Sequence, residues 1–197
     1  MNEKLRYEMI YSGPLLFKSK LTNQDVKKIL SLCKKDKRKS NNKNLAGLIK
    51  DEYLINEIAF NDILQPYFEA FYIAYSKWWN VNTDRKLKIK EAWVNFMKAG
   101  ECNPIHRHNM DYSSVFYLQI PEGLSKEVKN FVTSGTKPGE ITFTFGGIMN
   151  ECISGYTYSP EVGDFFIFPS NLQHSVSSFR SKGERISVSA NFLFSSN

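Results

Sequence analysis

The sequence predicts a mainly β chain, closed as a sandwich or barrel, with N-terminal helices packed on one outer face. Three observations predict it. From Lys86 onward, apolar residues follow period two or fall in short runs between turn residues. Before that point, two stretches carry apolar residues at helical spacing instead. Aromatic residues make up 14% of the chain, with 15 Phe and 10 Tyr, which suits sheets that need bulky inward side chains. At 197 residues the chain fits a single domain, residues 1–85 forming the helical part and 86–197 the β core.

Thr22 is placed to cap a first helix, whose Val26, Ile29, Leu30 and Cys33 share one face. A polar loop from Lys37 to Asn44 follows. A longer helix is expected from about Leu54 to Trp79, with Ile55, Ile58, Ala59, Ile63, Tyr67 and Phe71 as its stripe. Pro66 falls inside it and should kink it or split it, because proline lacks the amide hydrogen the helix needs. Strands are expected at Leu87–Met97, Ser113–Ile120, Ile141–Phe145, Tyr156–Tyr158, Asp164–Phe168, Ser175–Phe179 and Arg185–Phe194. Gly100, Pro104, Pro121, Pro138-Gly139, Gly146-Gly147, Gly163, Pro169 and Gly183 punctuate them.

Composition excludes several classes. No stretch approaches the ~20 apolar residues of a membrane-spanning helix, and Met1 to Arg6 is charged rather than signal-like. Cys33, Cys102 and Cys152 are odd in number and far apart, so neither a disulfide framework nor a thiolate metal site is expected. A cytoplasmic setting follows as the default. Of the net charge of +6, residues 1–50 carry 13 Lys/Arg against 4 Asp/Glu, or +9, leaving −3 for the rest. The run Lys34-Lys35-Asp36-Lys37-Arg38-Lys39 reads as a solvated helix end. A nucleic-acid patch is the alternative, and the absence of interleaved aromatics argues against it.

All three histidines lie in the strand-rich part. His106 and His108 are separated by one residue, so on a strand or strand end both imidazoles can reach one point. His174 comes 66 residues after His108, following Gly163-Asp164-Phe165-Phe166-Ile167-Phe168-Pro169. Two ligands from one strand end and a third from a distant strand are how a jelly-roll builds a facial iron(II) site, although imidazole also suits nickel, copper and zinc. Eleven residues further on, Arg185 opens a strand reading Arg185-Ile186-Ser187-Val188-Ser189. Alternation places Arg185 and Ser187 on one face, where a guanidinium fork and a hydroxyl suit one end of a small dicarboxylate. An arginine at a strand end facing water is the plainer reading.

From Trp93 to the C-terminus the chain resembles the iron(II)/2-oxoglutarate-dependent oxygenases, in particular a group common in bacteria and tailed phages. The resemblance rests on Trp93-Val94-Asn95, Asn103-Pro104-Ile105-His106-Arg107-His108, Ser113-Ser114-Val115-Phe116-Tyr117-Leu118, the Gly163 to Pro169 run, His174, and Gly183 to Phe192. Leu45-Ala46-Gly47 adds weakly to it. It implies a double-stranded β-helix (jelly-roll) core and an oxidoreductase that uses Fe(II) with 2-oxoglutarate as cosubstrate. It also implies a cytoplasmic location, the host cytoplasm if the gene is a phage's. Arg185 and Ser187 would hold the distal carboxylate, and Tyr117 would either donate to the cosubstrate or pack the core. The segment Leu124–Lys137 reads as an insertion that covers the site or as a solvated excursion.

The first ligand pair departs from the superfamily's usual His-x-Asp or His-x-Glu. Either His106, His108 and His174 form a three-histidine site, or His106 and His174 bind with water, or Asp111 swings in as the carboxylate. Two rival functions remain: a three-histidine cupin-type dioxygenase without 2-oxoglutarate, and a non-enzymatic jelly-roll binding or structural protein. The substrate class, whether small molecule, protein, lipid or nucleobase, is left open.

Overall fold

The computed structural model describes residues 13–36, 40–41, 47–56, 58–81, 86–147 and 154–195. Cys152, Lys37 to Lys39 and Leu45-Ala46 lie outside the described residues. Among the described residues, ten strands and three helices follow one another as β1 (Phe17–Lys20), α1 (Asn23–Leu32), β2 (Glu52–Leu54), α2 (Ile58–Trp79), β3 (Lys86–Met97), β4 (Asn103–His106), β5 (Tyr112–Gln119), α3 (Leu124–Lys129), β6 (Ile141–Thr144), β7 (Gly155–Tyr158), β8 (Asp164–Pro169), β9 (Gln173–Val176) and β10 (Arg185–Ser195). They form a six-stranded sheet, β1-β8-β5-β10-β3-β2, and a four-stranded sheet, β4-β9-β6-β7. All pairings are antiparallel. This two-sheet arrangement is the sandwich that the strand pattern predicts, and the jelly-roll that the family resemblance implies.

The alternation along β10 explains the layering. Ile186, Val188, Ala190 and Phe192 point outward into a core shared with α1 and α2, which also takes Leu64, Phe68 and Phe71. The alternate residues Arg185, Ser187, Ser189 and Asn191 point inward and line a cavity between the sheets. A second core of Met97, Val115, Tyr117, Ile141, Phe143, Phe166 and Phe168 fills the rest of that interior. Thr22 caps α1 as expected, its hydroxyl accepting the Asp25 amide at 3.1 Å.

Several expectations need correction. Residues 1–85 are not only helical: β1 and β2 pair with β8 and β3 and close both edges of the large sheet. Leu54 ends β2, so the long helix starts at Ile58. That helix is not split at Pro66. Pro66 is exposed, as is Asp62 four residues earlier, so the carbonyl freed there can meet water while Leu64 and Phe68 anchor the turns around it. The deepest residues of the stripe are Leu64, Phe68 and Phe71, one step round from Ile63 and Tyr67, which are half-buried. The basic run lies beyond α1, which ends at Leu32 with no cation in its last turn. Lys35 there pairs with Glu184 and, at 3.8 Å, with Asp51.

Candidate metal and cosubstrate site

The smaller sheet brings the histidines together. His106 ends β4 and stands opposite His174 of β9 in the register. His108 follows in the turn after β4. One ring nitrogen from each of the three lies within 4.8 Å of the others. The ring centroids of His106 and His174 are 4.2 Å apart, and those of His108 and His174 5.3 Å.

Backbone contacts orient two of the rings. Nδ1 of His106 lies 2.7 Å from the Pro104 carbonyl, and Nδ1 of His174 lies 3.0 Å from the Leu172 carbonyl. A carbonyl only accepts, so each Nδ1 carries the hydrogen and each Nε2 keeps its lone pair for a metal. Burial lowers all three pKa values, to about 4 for His108 and about 3 for His174, with neighbouring imidazoles adding to the effect at those two. All three rings are therefore neutral at pH 7, the form that ligates.

His108 is held by a chain of hydrogen bonds that sequence reasoning did not assign. Its amide donates to the Ser170 carbonyl at 2.8 Å. Ser113 Oγ donates to Asn191 Oδ1 at 2.7 Å and contacts Ser170 Oγ at 2.8 Å, while Asn191 Nδ2 donates to Glu91 at 2.6 Å. The chain ties the turn carrying His108 to the inner face of β10. Only its composition was visible beforehand, as polar residues at inward positions of apolar strands.

Asp111 does not join the cluster. Its carboxylate accepts the Phe194 amide at 2.7 Å, and it borders a hollow with Tyr75, Tyr112, Pro169 and Phe194. The turn from His108 to Asp111 leaves that carboxylate away from the cluster, and His108 is the residue that lies beside His106 and His174.

Arg185 is 2% exposed and faces the same cavity as the histidines. Its Nη1 donates to the Gly139 carbonyl at 3.2 Å, its guanidinium carbon lies 5.5 Å from the Tyr117 ring centroid, and Nε has no partner among the described residues. Gly139 has φ of +73°, and a Cβ there would meet Leu124 at 2.9 Å, so glycine suits the turn that presents this carbonyl. The Tyr117 hydroxyl is also buried without a partner, and burial pushes its pKa up to about 12. Burial likewise pulls the Arg185 pKa down. A buried cation without a carboxylate is costly unless a ligand supplies one. An anion with a carboxylate end fits these orphaned donors, and the three imidazoles fit a divalent metal. Ser187 lies between them on the same face. The segment 124–137 begins with α3, where the Glu127 carboxylate accepts the Arg180 and Ser181 amides, and none of its residues lines the cavity.

The sequence profile of the family described as Putative 2OG-Fe(II) oxygenase matches residues 91–191, about half of the chain, and the protein belongs to that family. No curated protein matches the chain. Among solved structures, a Pseudomonas putida prolyl-4-hydroxylase is similar at 15% identity and a TM-score of 0.56, over 90% of this chain and 91% of that one. A Trichoplax adhaerens prolyl hydroxylase, solved with a hypoxia inducible factor oxygen degradation domain peptide fragment, is similar at 14% identity and a TM-score of 0.53, over 90% and 83%. A Burkholderia pseudomallei oxidoreductase of the 2OG-Fe(II) oxygenase family matches at 12% identity and a TM-score of 0.48. It covers 76% of this chain, which spans only 62% of that protein. At these identities the two prolyl hydroxylases share a fold with this chain. The family carries Fe(II) and 2-oxoglutarate as its implied cofactor and cosubstrate.

Proposed function

We propose that the protein is an iron(II)- and 2-oxoglutarate-dependent dioxygenase that hydroxylates a carbon of its substrate and releases succinate and carbon dioxide. The observation that carries this reading is Arg185, a buried guanidinium without a carboxylate, in the same cavity as three convergent neutral imidazoles. His106, His108 and His174 would hold the metal. Arg185, Ser187 and Tyr117 would hold the distal carboxylate, the guanidinium as a charged fork and the two hydroxyls as neutral donors.

Bound iron supplies the activation of dioxygen, and the chain supplies the geometry around it. Nδ1–H bonds to Pro104 and Leu172 fix two rings with Nε2 toward the cavity. Trp93, Ile141, Phe168 and Val176 wall the cavity and exclude water from the reacting centre. The Arg185 cation sets which end of a 2-oxo dicarboxylate faces the histidines, because the end opposite the keto acid is the one it pairs with.

The third imidazole favours a second reading, a cupin-type dioxygenase without 2-oxoglutarate, and Arg185 weighs against it. Anaerobic titration with iron(II) and 2-oxoglutarate tests the proposal: a weak visible charge-transfer band and succinate on admission of air are expected. Iron binding without either response to 2-oxoglutarate would overturn the cosubstrate assignment and leave the second reading.

A further inference from the structure

Glu52 is a buried carboxylate that neither the metal site nor the cosubstrate site uses. It is 1% exposed, and among the described residues its Oε2 has no hydrogen-bond partner and the one charge acting on it is Glu101, of like sign. The sheet register says where it points. Glu52 pairs with Asn95, Asn95 with Ser187, and Ser187 with Tyr117, so these side chains form one row across the inner face of β2, β3, β10 and β5.

Two more acceptors meet Glu52 there. Asn95 is 5% exposed, and its Nδ2 donates to Ser189 Oγ at 3.3 Å, which leaves Oδ1 as the unpartnered atom. Asn103 Oδ1 is also buried without a partner. A Cβ on Gly47 would lie 3.0 Å from Asn103 Oδ1 and 3.6 Å from Glu52 Oε1, so both oxygens border the bare side of one glycine. Asn95 and Asn103 line the cavity that holds the histidines and Arg185.

From this juxtaposition we infer that Asn95, Asn103 and Glu52 form a substrate subsite for an organic cation, an ammonium or guanidinium such as ends a basic side chain. The assignment of this subsite to substrate rests on the dioxygenase reading above. Three buried side-chain oxygens without a partner among the described residues call for a ligand rich in N–H groups, and the carboxylate supplies its counter-charge. Trp93, two residues from Asn95 on the same inner face, adds an aromatic surface beside the acceptors, and its ring centroid is 5.7 Å from that of His108. The subsite is thus next to the histidine cluster and opposite in charge to the Arg185 end. Magnesium or calcium is the poorer occupant, since those ions take about six or more oxygen ligands and one carboxylate with two amides supplies few of them. Burial, with Glu101 adding to it, raises the Glu52 pKa to about 7, so without a ligand the group is partly protonated, and a cation would draw it into the ionised form.

Calorimetry on protein loaded with manganese(II) and 2-oxoglutarate, which does not turn over, tests the inference at pH 8. The probes are N-acetyl-lysine amide and N-acetyl-arginine amide, against their neutral counterparts N-acetyl-norleucine amide and N-acetyl-citrulline amide. At least one cationic probe should bind tenfold or more tightly than its neutral counterpart. Glu52→Gln, which keeps the shape and removes the charge, should erase that preference and leave manganese and 2-oxoglutarate affinities within twofold. Asn95→Ala should weaken the cationic probe by at least threefold. A wild-type protein without the preference, or a Glu52→Gln variant that retains it, overturns the subsite. The 2-oxoglutarate titration is read separately. If it fails while the cationic preference holds, the cosubstrate reading falls and the subsite stands.

Discussion

Arg185 and Tyr117 lie against each other inside the barrel, guanidinium carbon over phenol ring at 5.5 Å, and both keep a buried polar atom without a partner. The stack positions the cation, and the two orphaned groups define what it waits for. A charge-assisted hydrogen bond in such a place contributes about 1.5–3 kcal/mol, and losing a buried pairing can cost more. Arg185→Ala should therefore weaken 2-oxoglutarate at least tenfold by anaerobic titration, with iron(II) affinity nearly unchanged. Arg185→Lys should recover only part, because an ammonium lacks the planar fork. Ser187→Ala should cost on the order of 1 kcal/mol. Unchanged 2-oxoglutarate affinity in Arg185→Ala would remove Arg185 from the site.

Iron binding separates the candidate ligands. His174→Ala should abolish it and His106→Ala nearly so. His108→Ala should weaken it strongly, whereas Asp111→Ala should stay within a few-fold, because that carboxylate is engaged with the Phe194 amide. Equal affinity in wild type and both His106 and His174 variants would refute the metal site.

Glu52 gives a pH signature in the apo protein. Its pKa rises from an ordinary 4.5 to about 7 in the fold, so the native state holds a proton that the unfolded chain has released. Stability should therefore fall as pH rises from about 4.5 to 7 and then level off. The penalty at pH 8 is on the order of 3 kcal/mol, taking 1.36 kcal/mol per pKa unit. Glu52→Gln should raise the melting temperature at pH 8 and change it little at pH 4.5. A variant that melts lower than wild type at both values would contradict this.

The basic run should matter little to stability. Lys35 joins Lys98, Asp51 and Glu184 in a partly solvated charge cluster. Neutralising Lys35, Lys37 and Arg38 together should shift denaturant-measured stability by less than about 1 kcal/mol. A salt-sensitive loss of polyanion binding in that variant would instead reveal a nucleic-acid partner.

The sheets were legible because period-two alternation is a local signal, and β10 shows why the site was too. Arg185 and Ser187 could be assigned to one face from spacing alone, and the structure sets both inward. What escaped depended on partners distant in sequence. Glu52-Tyr53-Leu54 is three residues long and becomes a strand through its pairing with Asn95, Val94 and Trp93 and a bridge from Tyr53 to Ser40. β1 is likewise short, its only apolar residue is Phe17, and it is a strand through its pairing with β8. β4 contains Pro104 and reads locally as a turn, yet it carries the first histidine. Asp111 could be judged only once the turn after β4 had a direction. The row from Glu52 to Tyr117 spans four strands, so no periodicity within one of them could announce it.

β4 is an edge strand of the smaller sheet, and its register with β9 slips between Asn103 and His106, just where His106 comes to face His174. An ion shared by those two rings would be a rivet through a slipped seam at the edge of the smaller sheet. Chelation would then do more than silence chemistry: amide hydrogens of β4 and β9 should exchange faster than those of β3 and β10, and the mouth should fray before the wall behind it does.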